Sequence, residues 1–150
     1  MNIPVTMCNK DEVMLLEQQA LSRMMAMIFQ AAAKKYELLA FTIAFLDCPL
    51  FKDFFVNHTI FSQSPLYTLE LFEEKLSEKN ISLPPNDKND TDIAYWMGYI
   101  FAEWYQEFDF TPNTLTAEQF FWLYENYDIL HTQSIRYVAE LLINEHSKEK

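Results

Sequence analysis

Residues 91–108 read Thr91-Asp-Ile-Ala-Tyr-Trp-Met-Gly-Tyr-Ile-Phe-Ala-Glu-Trp-Tyr-Gln-Glu-Phe108, and their periodicity decides the fold class. Ile93, Trp96, Met97, Ile100, Phe101, Trp104 and Phe108 recur at i, i+3, i+4 and i+7. That spacing gathers side chains into one stripe of a 3.6-residue helix, whereas a half-buried strand would alternate strictly. The stripe is bulky and aromatic, so it predicts the core face of an amphipathic helix. Asp90 or Thr91 can cap its start, and Pro112 ends it.

Working upstream, Asn80 to Asp90 with Pro84-Pro85 is the clearest loop. Ser64 before Pro65 reads as an N-cap and first helical residue, opening a helix to about Asn80 that turns Leu69, Phe72 and Leu76 inward. Residues 1–9 are a loose lead-in. From Asp11, Met14, Leu15, Leu21, Met25, Ile28 and Phe29 follow helical spacing, with Gln18 in register. No proline occurs from there until Pro49, so one long helix or two joined helices should fill 11–46. Asp47 and Pro49 mark a break, followed by a short helical segment from Leu50 to Asn57. Met24, Met25 and Met27 read as flexible packing.

Downstream, Thr116 with Gln119 forms a capping-box pattern for a helix to about Tyr124. A last helix starts near Thr132 and buries Ile135, Val138, Ala139, Leu142 and Ile143. Gly98 is the sole glycine. Tight hairpins draw on glycine, asparagine or aspartate at positive φ, so a turn-rich β fold is disfavoured. The expectation is an all-α, single-domain bundle of five or six helices spanning 1–150, with a loop at about 80–90.

Charge is distributed unevenly. The chain carries a net −11, and between Lys88 and Arg136 there is no lysine or arginine but eight carboxylates and thirteen aromatic rings. Nucleic-acid binding needs cations to displace counterions from phosphate, so direct binding of nucleic acid is excluded as the function of this region. An acidic face steers basic partners toward it, although it also serves solubility alone. Cys8 and Cys48 are too few for a disulfide framework. Residues 1–10 lack a hydrophobic signal core, and the apolar run Leu38 to Leu46 is far short of a membrane span. The sequons at Asn57, Asn80 and Asn89 then read as chance matches. These observations predict a cytoplasmic protein without membrane contact.

Motifs for chemistry are sparse. One glycine cannot build a phosphate-cradling loop, and His58, His131 and His146 are scattered without zinc spacing. Asp87, Asn89 and Asp92 resemble a calcium loop, but the turn glycine is missing and Gly98 stands where the closing glutamate is needed. No nucleophile elbow is visible. Glu103 and Glu107 share a helix face with Asp109 near its end, a pattern that serves acid–base chemistry, a solvated surface or docking of lysine and arginine. Tyr95 and Tyr99 flank the tryptophan stripe and predict a partly exposed ridge, with Tyr105 as a further anchor. Glu125 and Asp128 extend the acidic surface. No residue is assigned a catalytic or metal-binding role, and no cofactor is expected.

The segment Asp92-Ile-Ala-Tyr-Trp-Met-Gly-Tyr-Ile-Phe101, with Leu123-Tyr-Glu-Asn-Tyr-Asp-Ile-Leu-His-Thr132, resembles a small bacterial family of antitoxin-like proteins of largely unknown function. There an A-Y-W-x-G-Y helix precedes a Y-x-x-x-H-T junction and a final amphipathic helix. The resemblance covers about residues 92–143. It implies a partner toxin encoded alongside, some such toxins being of the ADP-ribosyltransferase type. This chain departs at Ala102-Glu103-Trp104, where the family often has a basic–aromatic–Trp run. It departs again at Gln133-Ser134, where aspartate often follows His-Thr. The first departure replaces positive charge by negative, so a partner touching it must differ in charge there. Thr132 itself reads as an N-cap.

Taken together, the residues and the resemblance predict a non-enzymatic antitoxin or immunity protein. It would mask a basic protein toxin through Tyr95, Tyr99, Glu103, Tyr105, Glu107, Asp109, Glu125 and Asp128. Competing readings are a phage-type inhibitor mimicking nucleic-acid charge, a small helical hydrolase using paired carboxylates, and a homodimer using the aromatic ridge.

Overall fold

A computed structural model describes residues 5–48, 64–107 and 116–147, leaving aside the side chains of 5–18, 105, 107 and 143–147. Seven helices and no strands are found among these residues. They are α1 (Val5–Ala33), α2 (Leu38–Leu46), α3 (Pro65–Glu78), α4 (Thr91–Glu107), α5 (Ala117–Glu125), α6 (Tyr127–Leu130) and α7 (Ile135–Ser147). The all-α expectation holds, and the count exceeds the five or six expected. A one-turn helix, α6, stands apart between α5 and α7, and the 11–46 region divides in two. The expected segment at 50–57 and the stop at Pro112 lie outside the described residues.

The division of 11–46 has a local cause. Glu37 turns its carboxylate back onto the backbone, accepting from the N–H groups of Leu39 at 3.2 Å and Ala40 at 3.0 Å. Those donors have no intrahelical partner at a helix start, so the side chain caps α2. Tyr36 leaves the helical path and pairs with Pro85, flanked by bonds from Glu37 N to Pro84 O and from Asn86 N to Lys35 O. The proline loop therefore holds open the gap between the two helices.

Two predicted starts form as read. Ser64 Oγ accepts from Tyr67 N at 3.0 Å with Pro65 in the first turn. At α5, Thr116 and Gln119 form a reciprocal capping box. The end of α3 uses Asn80 at φ 57°, where glycine is usual. Ile81 N bonds Leu76 O and Asn80 N bonds Ser77 O, a Schellman closure that satisfies the last carbonyls.

The last helix starts later than predicted. Thr132 does not cap it; its hydroxyl donates back to Ile129 O at 3.1 Å, while Ser134 Oγ accepts from Tyr137 N at 3.1 Å. Ser134 immediately precedes Ile135, the first residue of α7, so it has the reach that Thr132 lacks. His131-Thr132 closes α6 instead of opening α7.

One hydrophobic cluster draws buried residues from all seven helices. Phe29 sits at its centre, edge-on to Phe41 at 5.3 Å and to Phe45 at 5.5 Å, and stacked with Phe120 at 6.1 Å. The tryptophan stripe of α4 is core as read: Trp96, Met97, Ile100, Phe101 and Trp104 are buried. Met25 is fully buried, but Met27 is 45% exposed and does not pack as expected.

Gly98 explains how closely α1 and α4 approach. A β-carbon there would lie 2.7 Å from Met25 O, 2.9 Å from Ala26 Cα and 3.0 Å from Phe29 Cβ. Only a residue without a side chain fits. Further along α4, Glu103 and Gln106 reach back to Ser22, so the two helices run antiparallel. At the start of α4, buried Asp90 accepts from Asn86 Nδ2 and Tyr124 OH, both at 2.8 Å. Asn86 Nδ2 also donates to Ala33 O, so one polar knot joins α1, the proline loop, α4 and α5.

Candidate functional site: a tyrosine-walled pocket

Helix α4 has a second stripe beside its core face. Asp92, Tyr95, Tyr99 and Glu103 follow each other at three- and four-residue spacing and so line one flank. Asp92 is exposed, while the other three are half-buried. Across from this flank stand Gln30 of α1, Tyr127 of α6, His131 at its C-cap and Ile135 of α7. Together with Trp96 they surround a cavity of about 550 Å³, a size ordinary for a ligand pocket. The expected ridge is therefore a wall.

The rings are tightly ordered on the α6 side. Tyr127 and His131 stack with centroids 4.4 Å apart and planes 15° from parallel, and Trp96 meets Tyr127 edge-on at 5.3 Å. His131 Nδ1 lies 2.7 Å from Tyr127 O. A carbonyl only accepts, so Nδ1 carries the hydrogen, and Nε2 holds the lone pair in the neutral ring. Trp96 Nε1 is buried with no acceptor among the described residues, which leaves an unsatisfied donor beside the cavity.

The electrostatics of the wall are negative. Burial pushes the Tyr127 hydroxyl above its usual range, and the charges of Asp92 and Asp128 add to the effect. Burial also raises Tyr99, with Glu103 next in weight; Arg23 acts in the opposite direction, and Tyr95 adds to the rise. Residues 89–135 lack lysine and arginine, but α1 brings Arg23 to the Tyr99 end of this face. At the Asp92 end, no lysine or arginine lines the pocket among the described residues.

Of the residues expected to bind a partner, Tyr95 and Tyr99 meet in the pocket wall. Glu103 lies along the same flank, accepting from the Ser22 hydroxyl at 3.3 Å. Glu125 and Asp128 are exposed outside the lining, although Asp128 acts on Tyr127. The side chains of Tyr105 and Glu107, and all of Asp109, fall outside the described residues. The pocket also takes Asp92, Tyr127, His131, Gln30 and Ile135, none of which the sequence reading assigned. Asp92 was findable, because it continues the Tyr95–Tyr99 stripe by one step. Tyr127 and His131 are also four apart, but nothing in the sequence relates them or Gln30 to α4.

The arrangement suits binding. Tyrosine faces attract cations through the ring quadrupole, and a rim carboxylate adds direct charge. No group of three His, Cys, Asp or Glu able to hold a metal ion occurs among the described residues. No described helix is long and apolar enough to cross a membrane. No protein-family model, curated protein or solved structure matches the chain.

Proposed function

We propose that this chain is a single-domain cytoplasmic antitoxin or immunity protein that neutralises a basic protein toxin by direct binding across the tyrosine face of α4. The observation that carries the reading is the pocket wall itself: tyrosine rings beside a carboxylate, with no lysine or arginine among the described residues of the lining. Tyr and Trp supply large contact area at low entropic cost, which makes them frequent interface anchors. The net charge of −11 supports the same partner sign, since it speeds encounter with a basic surface. The resemblance of residues 92–143 to antitoxin-like proteins points to a partner encoded alongside.

The mechanism is masking. Docked carboxylates pair with basic groups that the toxin needs for its own substrate, while the tyrosines exclude water around those pairs. Co-expression with the basic protein encoded beside this gene tests the reading. Growth should be rescued by the native chain and lost again when Asp92 and Tyr95 are replaced by Lys and Leu. A neighbouring product that is not toxic, or rescue that survives the double change, overturns it.

A further inference from the structure

We propose that the pocket at the Asp92 end of α4 receives an arginine side chain, its guanidinium lying against the tyrosine rings and pairing with the Asp92 carboxylate. The identity of the donor as a protein partner rests on the function proposed above; the choice of arginine rests on the pocket.

Charge decides the sign of the occupant. Asp92 is at the cavity and Asp128 is close enough to act on Tyr127, so an anion would meet repulsion. A wholly apolar side chain would cover Asp92 and the tyrosyl hydroxyls without giving them partners, which is unfavourable. A cation satisfies both the carboxylate and the ring faces.

Shape decides between cations. The stacked Tyr127–His131 pair presents two nearly parallel rings, and a flat, weakly hydrated guanidinium stacks on such rings more readily than a compact, strongly hydrated ammonium. The fork of a guanidinium also matches both oxygens of Asp92. Arg23 acts at Tyr99 and would repel a second guanidinium there. That places the incoming group between Asp92, Tyr95 and Tyr127. A cavity of about 550 Å³ exceeds the needs of one side chain, so the residues flanking the arginine would enter with it.

The test uses the full chain, isotopically labelled for nuclear magnetic resonance, and three capped tripeptides with arginine, lysine or citrulline in the middle. Citrulline keeps the shape of arginine without its charge. The arginine peptide should shift the signals of Tyr95, Tyr127 and Gln30. Lysine should bind more weakly, and citrulline about tenfold more weakly, the order expected for one desolvated cation–ring contact with its ion pair. Asp92→Asn should weaken arginine binding while leaving the citrulline peptide and the thermal midpoint unchanged.

Equal binding of citrulline, stronger binding of lysine, shifts mapping elsewhere, or no binding overturns the inference. Displacement of the arginine peptide by an equal concentration of tetramethylammonium would replace it by a generic cation cage. The two readings separate cleanly. Peptide binding without toxin rescue refutes the antitoxin role alone, whereas rescue by the Asp92→Asn chain refutes the arginine contact alone.

Discussion

The two flanks of α4 solve opposite problems. On one, Gly98 lets α1 come so close that a single methyl group would collide with its backbone, and Phe29 and Phe101 fill the remaining space without solvent. On the other, Tyr95 and Tyr99 stand half-covered around a cavity between the same two helices and α6. The contrast teaches that openness here is local. Helix α4 is anchored by its close-packed flank, so its tyrosine flank can remain unfilled without loss of order, as a preorganised binding surface requires.

The hardest test of the anchored flank is Phe29→Ala. Phe29 is fully buried and contacts rings from α2, α4 and α5, so its removal should cost about 3–5 kcal/mol in urea unfolding. A loss below about 1 kcal/mol would mean that the phenylalanine cluster is not the anchor. Gly98→Ala comes next. Alanine is favoured in helices by about 1 kcal/mol, but the collision with Met25 O involves backbone that cannot swing aside, so net destabilisation of about 1–3 kcal/mol is expected. A rise in the thermal midpoint would show the helices to be further apart.

Tyr124→Phe probes the polar knot at the start of α4. It leaves buried Asp90 short of one donor, at a cost of about 1–3 kcal/mol. A pH dependence accompanies it. Burial, then the bond to Asp90, push the Tyr124 hydroxyl up from 10.0 to about 12 in the folded chain. The folded state thus holds a proton that the unfolded state releases first. The contribution is complete below about pH 10 and disappears as pH rises toward about 12. The urea midpoint should fall less between neutral and strongly alkaline pH in Tyr124→Phe than in the native chain, with Tyr36, also raised to about 12, and the raised Tyr99 and Tyr127 contributing to the remaining loss.

The smallest expected stability effect belongs to the open flank. Asp92→Asn should alter unfolding by less than about 0.5 kcal/mol, because Asp92 is exposed, yet it should weaken partner binding. It is a cleaner probe than Glu103→Lys, which would break the contact with fully buried Ser22. A large loss of stability from Asp92→Asn would make the pocket structural.

Legibility followed range. The stripe of α4 and the caps at Ser64 and Thr116 were readable because each depends on residues within one or two turns. The break at Tyr36 was not, since no proline or glycine marks it and Glu37 is an unusual cap. The Thr132 assignment failed through competition between two nearby hydroxyls, of which Ser134 lies directly against the apolar run of α7. Of the candidate site, the tyrosines on α4 were readable as a stripe, while their partners on α1 and α6 were not.

Helical class, the core face of α4 and the acidic character of its aromatic region therefore belong to the sequence, because periodicity and charge are properties of neighbouring residues. The rest was decided in three dimensions. Gly98 acquired its role only where α1 crosses, and Arg23 acts on Tyr99 only through that crossing. His131, with no other histidine near it in the sequence, became a pocket wall by stacking on Tyr127. Such contacts depend on the distance between helices and their relative rotation, which no local pattern encodes.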